Sequence, residues 1–253
     1  MEYLYGDHIP IFISVHNKVE QLKTVIKSYE DNIKTPIKII LFNHNTTYEP
    51  CLKYLKEMEE KGYIIYEHFD TNPRDRKYGD LIRKSRNTNL MNKIKDYLSK
   101  NLNVNYFVVT DTDIELLPNT GDILDIYVNY YQKFKNIEVP IGTSIKISDV
   151  PKSFHQYDRM LRSELPHWEK SKESILELNN KQIKCYKTPI DTTFKLYHKK
   201  WLDIPRDTLF SHVAYRTDLP YQTKHLDWYV NKKSATPELI YYSKTSRQSH
   251  YRV

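Results

Sequence analysis

Two carboxylates one residue apart, Asp111 and Asp113, end an apolar run that begins at Tyr106 and continues through Phe107, Val108, Val109 and Thr110. Such a run suits a buried strand. Side chains alternate along a strand, but where the chain turns off its carboxyl end both carboxylates can face one crevice and share a hard divalent cation, Mn²⁺ or Mg²⁺. An isolated Asp-x-Asp can equally start a turn or cap a helix, so its surroundings decide between the two.

The surroundings are a repeated unit. Ile9–Val15 has the composition of a first strand, ends in His16 and Asn17, and precedes an amphipathic stretch over 19–29. A second apolar run, 37–42, ends in Asn43, His44 and Asn45, and Leu52, Leu55 and Met58 then mark a helix over 50–61. A third, 63–66, leads into His68, Asp70 and Asn72, after which a basic helix from about 80 to 98 delivers the chain to the Asp111 strand. This alternation predicts an α/β fold with a parallel, doubly wound sheet flanked by helices. Ligands of such sheets bind beyond the carboxyl ends of the strands, where His16, Asn17, Asn43, Asn45, Asn72, Asp111 and Asp113 gather. Residues 139–147 extend the sheet. Residues 154–170 form a polar, aromatic helix and loop, in which Trp168 beside Glu169 is either a sugar platform or a core residue.

With this order of features the chain resembles the GT-A class of nucleotide-sugar-dependent glycosyltransferases, in particular its large inverting family, over residues 9–230. Three features carry the resemblance: Ser14-Val15-His16-Asn17 at the end of the first strand, Lys77-Tyr78-Gly79 followed by Ser85-Arg86-Asn87, and then Asp111-Thr112-Asp113. The second strand departs from the family, whose usual Asp is replaced here by Asn43, His44 and Asn45. The resemblance implies one GT-A, Rossmann-like domain over 1–235, with a donor half at about 9–117, an acceptor half at about 118–235, and a basic tail or lid over 236–253. It implies that Ser14, His16, Asn17, Asn43, Asn72, Arg86, Asp111, Thr112 and Asp113 bind a nucleoside-diphosphate sugar, a UDP-sugar first among them. Asp111 and Asp113, completed by the downstream His225, would hold Mn²⁺ or Mg²⁺, an imidazole favouring manganese. Inverting transfer to a glycan or glycolipid hydroxyl needs a base, and Asp191 stands at a suitable distance from the metal motif. Alternatives stay open: Asp191 in an Asx turn, Asp227 as the base or an acceptor contact, His225 hydrogen-bonded beside Trp228, and Arg216 either reaching the diphosphate or solvated.

Composition narrows the rivals. A chain of 253 residues suffices for one α/β core. No apolar run approaches a membrane span and 1–8 lacks the features of a signal peptide, so a soluble, cytoplasmic protein is expected. Cys51 and Cys185 have no metal-ligand spacing and are expected as free thiols. The 5 glycines form neither GxGxxG nor a P-loop, which removes hydride transfer and P-loop phosphotransfer. A net charge of +7, 22 tyrosines and the strip Arg74, Arg76, Lys77, Arg83, Lys84, Arg86, Lys93 and Lys95 would also suit a nucleic-acid binder. The strip nevertheless falls between the third strand and the Asp111 strand, where a diphosphate would lie, so no nucleic-acid partner is expected. A basic surface also suits peripheral contact with anionic lipid carrying an acceptor.

Overall fold

The computed structural model describes residues 6–69, 79–190, 192–204, 212–231, 233 and 235–246. Among the residues singled out above, Asp70, Asn72, Arg74, Arg76, Lys77, Tyr78 and Asp191 lie outside them, as does 247–253.

The first half builds the unit three times: β1 (Ile9–Val15), α1 (Val19–Asn32), β2 (Ile37–His44), α2 (Glu49–Glu60), β3 (Ile64–His68), α3 (Gly79–Lys100) and β4 (Tyr106–Asp111). These strands lie side by side in the order β3-β2-β1-β4, all parallel. Ile9, Ile11, Ile13 and Val15 of β1 pack on one face with Leu22, Val25 and Tyr29 of α1 and Leu55 of α2. Phe12 points the other way, into a cluster with Ile94 and Tyr97 of α3. Because helices cover both faces, β1 is apolar from Ile9 through Ile13 instead of alternating.

The second half contributes β5 (Ile114–Leu116), α4 (Ile123–Phe134), β6 (Ile141–Ile145), α5 (Tyr157–Glu169), β7 (Glu173–Leu178), β8 (Lys181–Ile190), β9 (Lys195–His198), β10 (His212–His225) and α6 (Pro237–Thr245). The sheet continues without a break as β4-β9-β6-β10-β8-β7, with β5 on the end of β10. Strands of both halves therefore share one sheet. The parallel arrangement holds through β4; beyond it the sheet is mixed, with β9 antiparallel to β4 and β6, and β10 parallel to β6 but antiparallel to β8. A tight hairpin accounts for one reversal, since β7 and β8 are joined by Asn179 and Asn180 alone. Both hold positive φ, 48° and 59°, the conformation a two-residue hairpin turn demands and that asparagine tolerates. Gly142 lets β6 close on β9: a Cβ there would stand 3.0 Å from the Lys195 Cα. Both cysteines are free and buried, and burial pushes each thiol up to about 12. Among the described residues no helix is long and apolar enough to cross a membrane.

Candidate metal centre and strand-end rim

β4 ends at Asp111, and the chain turns through Thr112 and Asp113 into β5. β5 pairs with the last residues of β10, setting Ile114 opposite His225. The Leu226 N–H then donates to the Asp113 carbonyl at 2.7 Å. This clamp carries His225 and Asp227 to the metal motif from more than a hundred residues downstream. One ligand atom from each of Asp113, His225 and Asp227 lies within 4.8 Å of the others. Two carboxylates and an imidazole are a donor set that suits Mn²⁺. Asp111 is not in that group. Its N–H donates to the Thr192 carbonyl at 3.1 Å, and its carboxylate accepts from the Thr192 hydroxyl. Asp111 thus ties β4 to Thr192, ahead of β9.

A lysine lies inside the cluster. The Lys18 ammonium donates to Asp113 Oδ2 at 2.7 Å and to both oxygens of Asp227 at 2.9 Å, and its side chain is only 3% exposed. Burial alone would lower the pKa of this ammonium, but the charges of Asp113 and Asp227 more than offset that and hold it well above the usual lysine range. Gln21 adds a hydrogen bond to Asp227 Oδ1 at 3.0 Å. The Tyr242 ring of α6 lies 4.3 Å from Lys18 Nζ, a cation–π contact. Glu238, also on α6, accepts from the N–H groups of Val19 at 2.5 Å and Glu20 at 2.7 Å. Its carboxylate thereby serves the open, positive end of α1, while burial raises its pKa against those same donors. The His225 ring lies beside Trp228, centroids 5.1 Å apart, as well as beside Asp113. Sequence reasoning missed Lys18, Glu238 and Tyr242. A lysine in a lysine-rich chain has no signature, and the carboxylates it joins are 95 and 209 residues away.

The rim beside this cluster collects the remaining strand ends. Ser14 stands opposite Asp111 in register. His16 donates from Nδ1 to the His44 carbonyl at 2.8 Å, which fixes its tautomer because a carbonyl only accepts. The His44 and His68 rings stack at 5.4 Å and 14°, with His16 tilted against His44 at 6.1 Å. Burial, reinforced by the Arg86 charge, drives His44 down to about 3; burial lowers His16 as well. Asn17, at φ 55°, accepts from the N–H groups of Thr47 at 2.7 Å and Tyr48 at 2.9 Å and donates to Thr245 of α6 at 3.3 Å. Asn43 donates to Glu67 at 2.7 Å, and its buried Oδ1 has no partner among the described residues. Thr112 is buried, and Arg86 is half-buried with Nε on Asn87 Oδ1 at 3.2 Å.

Of the two readings of Arg216, solvation is removed by its burial. It is 4% exposed on β10, between Gly142 and Tyr186 in register, and meets buried Glu164 of α5 at 3.3 Å. Trp168 is half-buried, edge-on to Tyr186 at 4.9 Å. Lys84 and Lys95 of α3 are exposed, as a solvated helix face requires.

No family model matches the chain, and no curated protein sequence does. Solved structures do match. One is a mannosyltransferase, PcManGT from Pyrobaculum calidifontis in complex with GDP-Man and Mn²⁺, at 10% identity and TM-score 0.49, covering 95% of this chain and 62% of that one. Another is S. aureus TarS 1–349, at 12% identity and TM-score 0.47, covering 87% and 60%; TarS in complex with UDP-GlcNAc gives 10% identity and TM-score 0.45. The chain spans about three fifths of the length of PcManGT and TarS 1–349. With scores and identities this low, what the site can do is argued from this chain's own residues.

Proposed function

We propose that the protein is a metal-dependent glycosyltransferase of GT-A type, with one catalytic domain over 1–235 and a basic tail or lid over 236–253. It moves a hexosyl group, with inversion, from a nucleoside-diphosphate sugar to a hydroxyl of a glycan or glycolipid. The observation that carries this reading is the convergence of Asp113, His225 and Asp227 at the carboxyl ends of parallel strands, next to a rim of histidines and asparagines. Asp113, His225 and Asp227 would hold Mn²⁺, which when bound stabilises charge on a leaving diphosphate.

The protein's own groups supply the rest. Asn43 Oδ1, without a partner among the described residues, is an acceptor suited to the N–H edge of a nucleotide base, and a UDP-sugar is the donor proposed. Ser14, His16, Asn17, Asn72 and Thr112 border the nucleoside, Asp111 meets the ribose, and the Arg86 guanidinium meets the diphosphate. Asp191 is the base: its carboxylate takes the acceptor's hydroxyl proton as that oxygen bonds to the anomeric carbon and the bond from that carbon to the diphosphate oxygen breaks. Asp227 is the weaker choice because the same reading commits its carboxylate to the metal. A cytoplasmic location, with peripheral contact to a membrane bearing a lipid-linked acceptor, belongs to the same reading.

The test is thermal stabilisation by UDP-, GDP-, dTDP- and CMP-sugars with and without Mn²⁺, since a ligand bound only by the folded state raises its apparent stability. A UDP-sugar should give the largest shift, in the presence of Mn²⁺ only, and Asp113→Asn should abolish it. A shift with oligonucleotides and with none of the sugars would sink the reading.

A further inference from the structure

The Lys18 ammonium and a divalent cation need the same oxygens. Lys18 Nζ is within hydrogen-bond distance of Asp113 Oδ2 and both Asp227 oxygens, and Asp113 and Asp227 supply two of the three candidate ligands. Two cations cannot share that space in a buried site, because their repulsion is poorly screened there. Charge shows which ion leaves. Among the described residues one ammonium faces two carboxylates, whereas a divalent ion matches the charge of the pair by itself.

We propose that Lys18 is a built-in competitor for the metal site, so that Mn²⁺ binds only by displacing the Lys18 ammonium from Asp113 and Asp227. This rests on the reading of Asp113, His225 and Asp227 as metal ligands. The displacement reaches α6, because the ammonium that leaves is the one under the Tyr242 ring. Lys18 also directly precedes the helix end that Glu238 caps. Metal entry is therefore coupled to the packing of α6 over the site.

The test is Mn²⁺ binding, followed by loss of the free-ion electron paramagnetic resonance signal, in wild type, Lys18→Met and Lys18→Met/Asp113→Asn. Lys18→Met should bind at least about tenfold more tightly, as expected when an occupied state no longer withholds the site, and the double variant should lose that binding. Equal affinity in wild type and Lys18→Met, lost with Asp113→Asn, would keep the metal site and overturn the competition. No binding by wild type or Lys18→Met would remove the metal site itself, and the competition with it. Lys18→Met leaves two buried carboxylates without a counter-cation. Should it fail to fold, mapping of acetylated lysines by mass spectrometry on the wild-type protein decides instead. Lys18 should resist acetylation without metal and react at saturating Mn²⁺; protection that persists at saturation would overturn the proposal.

Discussion

Each half of the molecule buries an ionic contact. In the half led by β6 to β10, one guanidinium, Arg216, meets one carboxylate, Glu164. Below the ends of β1 and β4, one ammonium, Lys18, meets two carboxylates, Asp113 and Asp227, with an imidazole alongside. Among the described residues the first pair is balanced, and it lies within the sheet and α5. The second, among the described residues, sets two carboxylates against one ammonium at the rim where ligands of parallel sheets bind. Burying charge is costly, and a balanced pair does little more than offset its own desolvation. A buried cluster that sets two carboxylates against one ammonium is poised for a further cation, which is the physical basis for giving it the chemistry.

That contrast can be broken in four places. The largest expected effect is on turnover: Asp191→Asn should lower sugar transfer by about 100-fold or more, in the range of lost general-base catalysis, while donor-induced thermal stabilisation is retained. Full activity in a transfer assay would return the base to Asp227 or elsewhere. Next, Arg216→Met should cost about 3–5 kcal/mol in chemical denaturation by stranding Glu164 as a buried charge. Mn²⁺-dependent donor binding by the folded fraction should survive. Loss of that binding in a protein that still folds would erase the distinction between the two ionic contacts.

The third effect is a pH dependence. His44 is held down to about 3 in the folded protein, against 6.5 in the unfolded chain. Between those values the unfolded state binds more protons, so stability falls as pH drops from 6.5 toward 3, by up to about 1.4 kcal/mol per pH unit from this residue. His44→Phe, which retains a ring to stack on His68, should flatten that slope in urea titrations; an unchanged slope would assign it to other groups. The smallest effect is local. Asn180→Gly, at φ 59°, should stabilise the β7–β8 hairpin by a few tenths of a kcal/mol, as an Asn-Gly turn is preferred there. Donor binding at the opposite half should not change.

The two halves also differ in how far their sequences announced them. β1, β2 and β4 were legible because burial on both faces demands continuous apolar runs, and Asp111-Thr112-Asp113 stands out at the end of one. α4 was not named, although Asp125, Asn129, Gln132 and Lys133 leave a polar stripe at helical spacing opposite buried Ile123, Leu124, Ile126, Tyr127, Val128, Tyr130 and Tyr131. The β7–β8 hairpin turns on Asn179-Asn180, a weaker signal than Asn-Gly. At the site, Asp113 was singled out by the Asp-x-Asp motif and His225 by the resemblance that motif supports. Lys18 could not be, since its role arises only when β5 pairs with the end of β10 and brings Asp227 above the start of α1.

The most direct test of the metal and donor site is the anomalous scattering of manganese in crystals of the protein grown with UDP and Mn²⁺. The account predicts a single strong peak coordinated by Asp113, His225 and Asp227 and by the diphosphate, with the Lys18 ammonium withdrawn from both carboxylates. UDP bound at the rim with no manganese peak there, or a peak held by other residues, would contradict it.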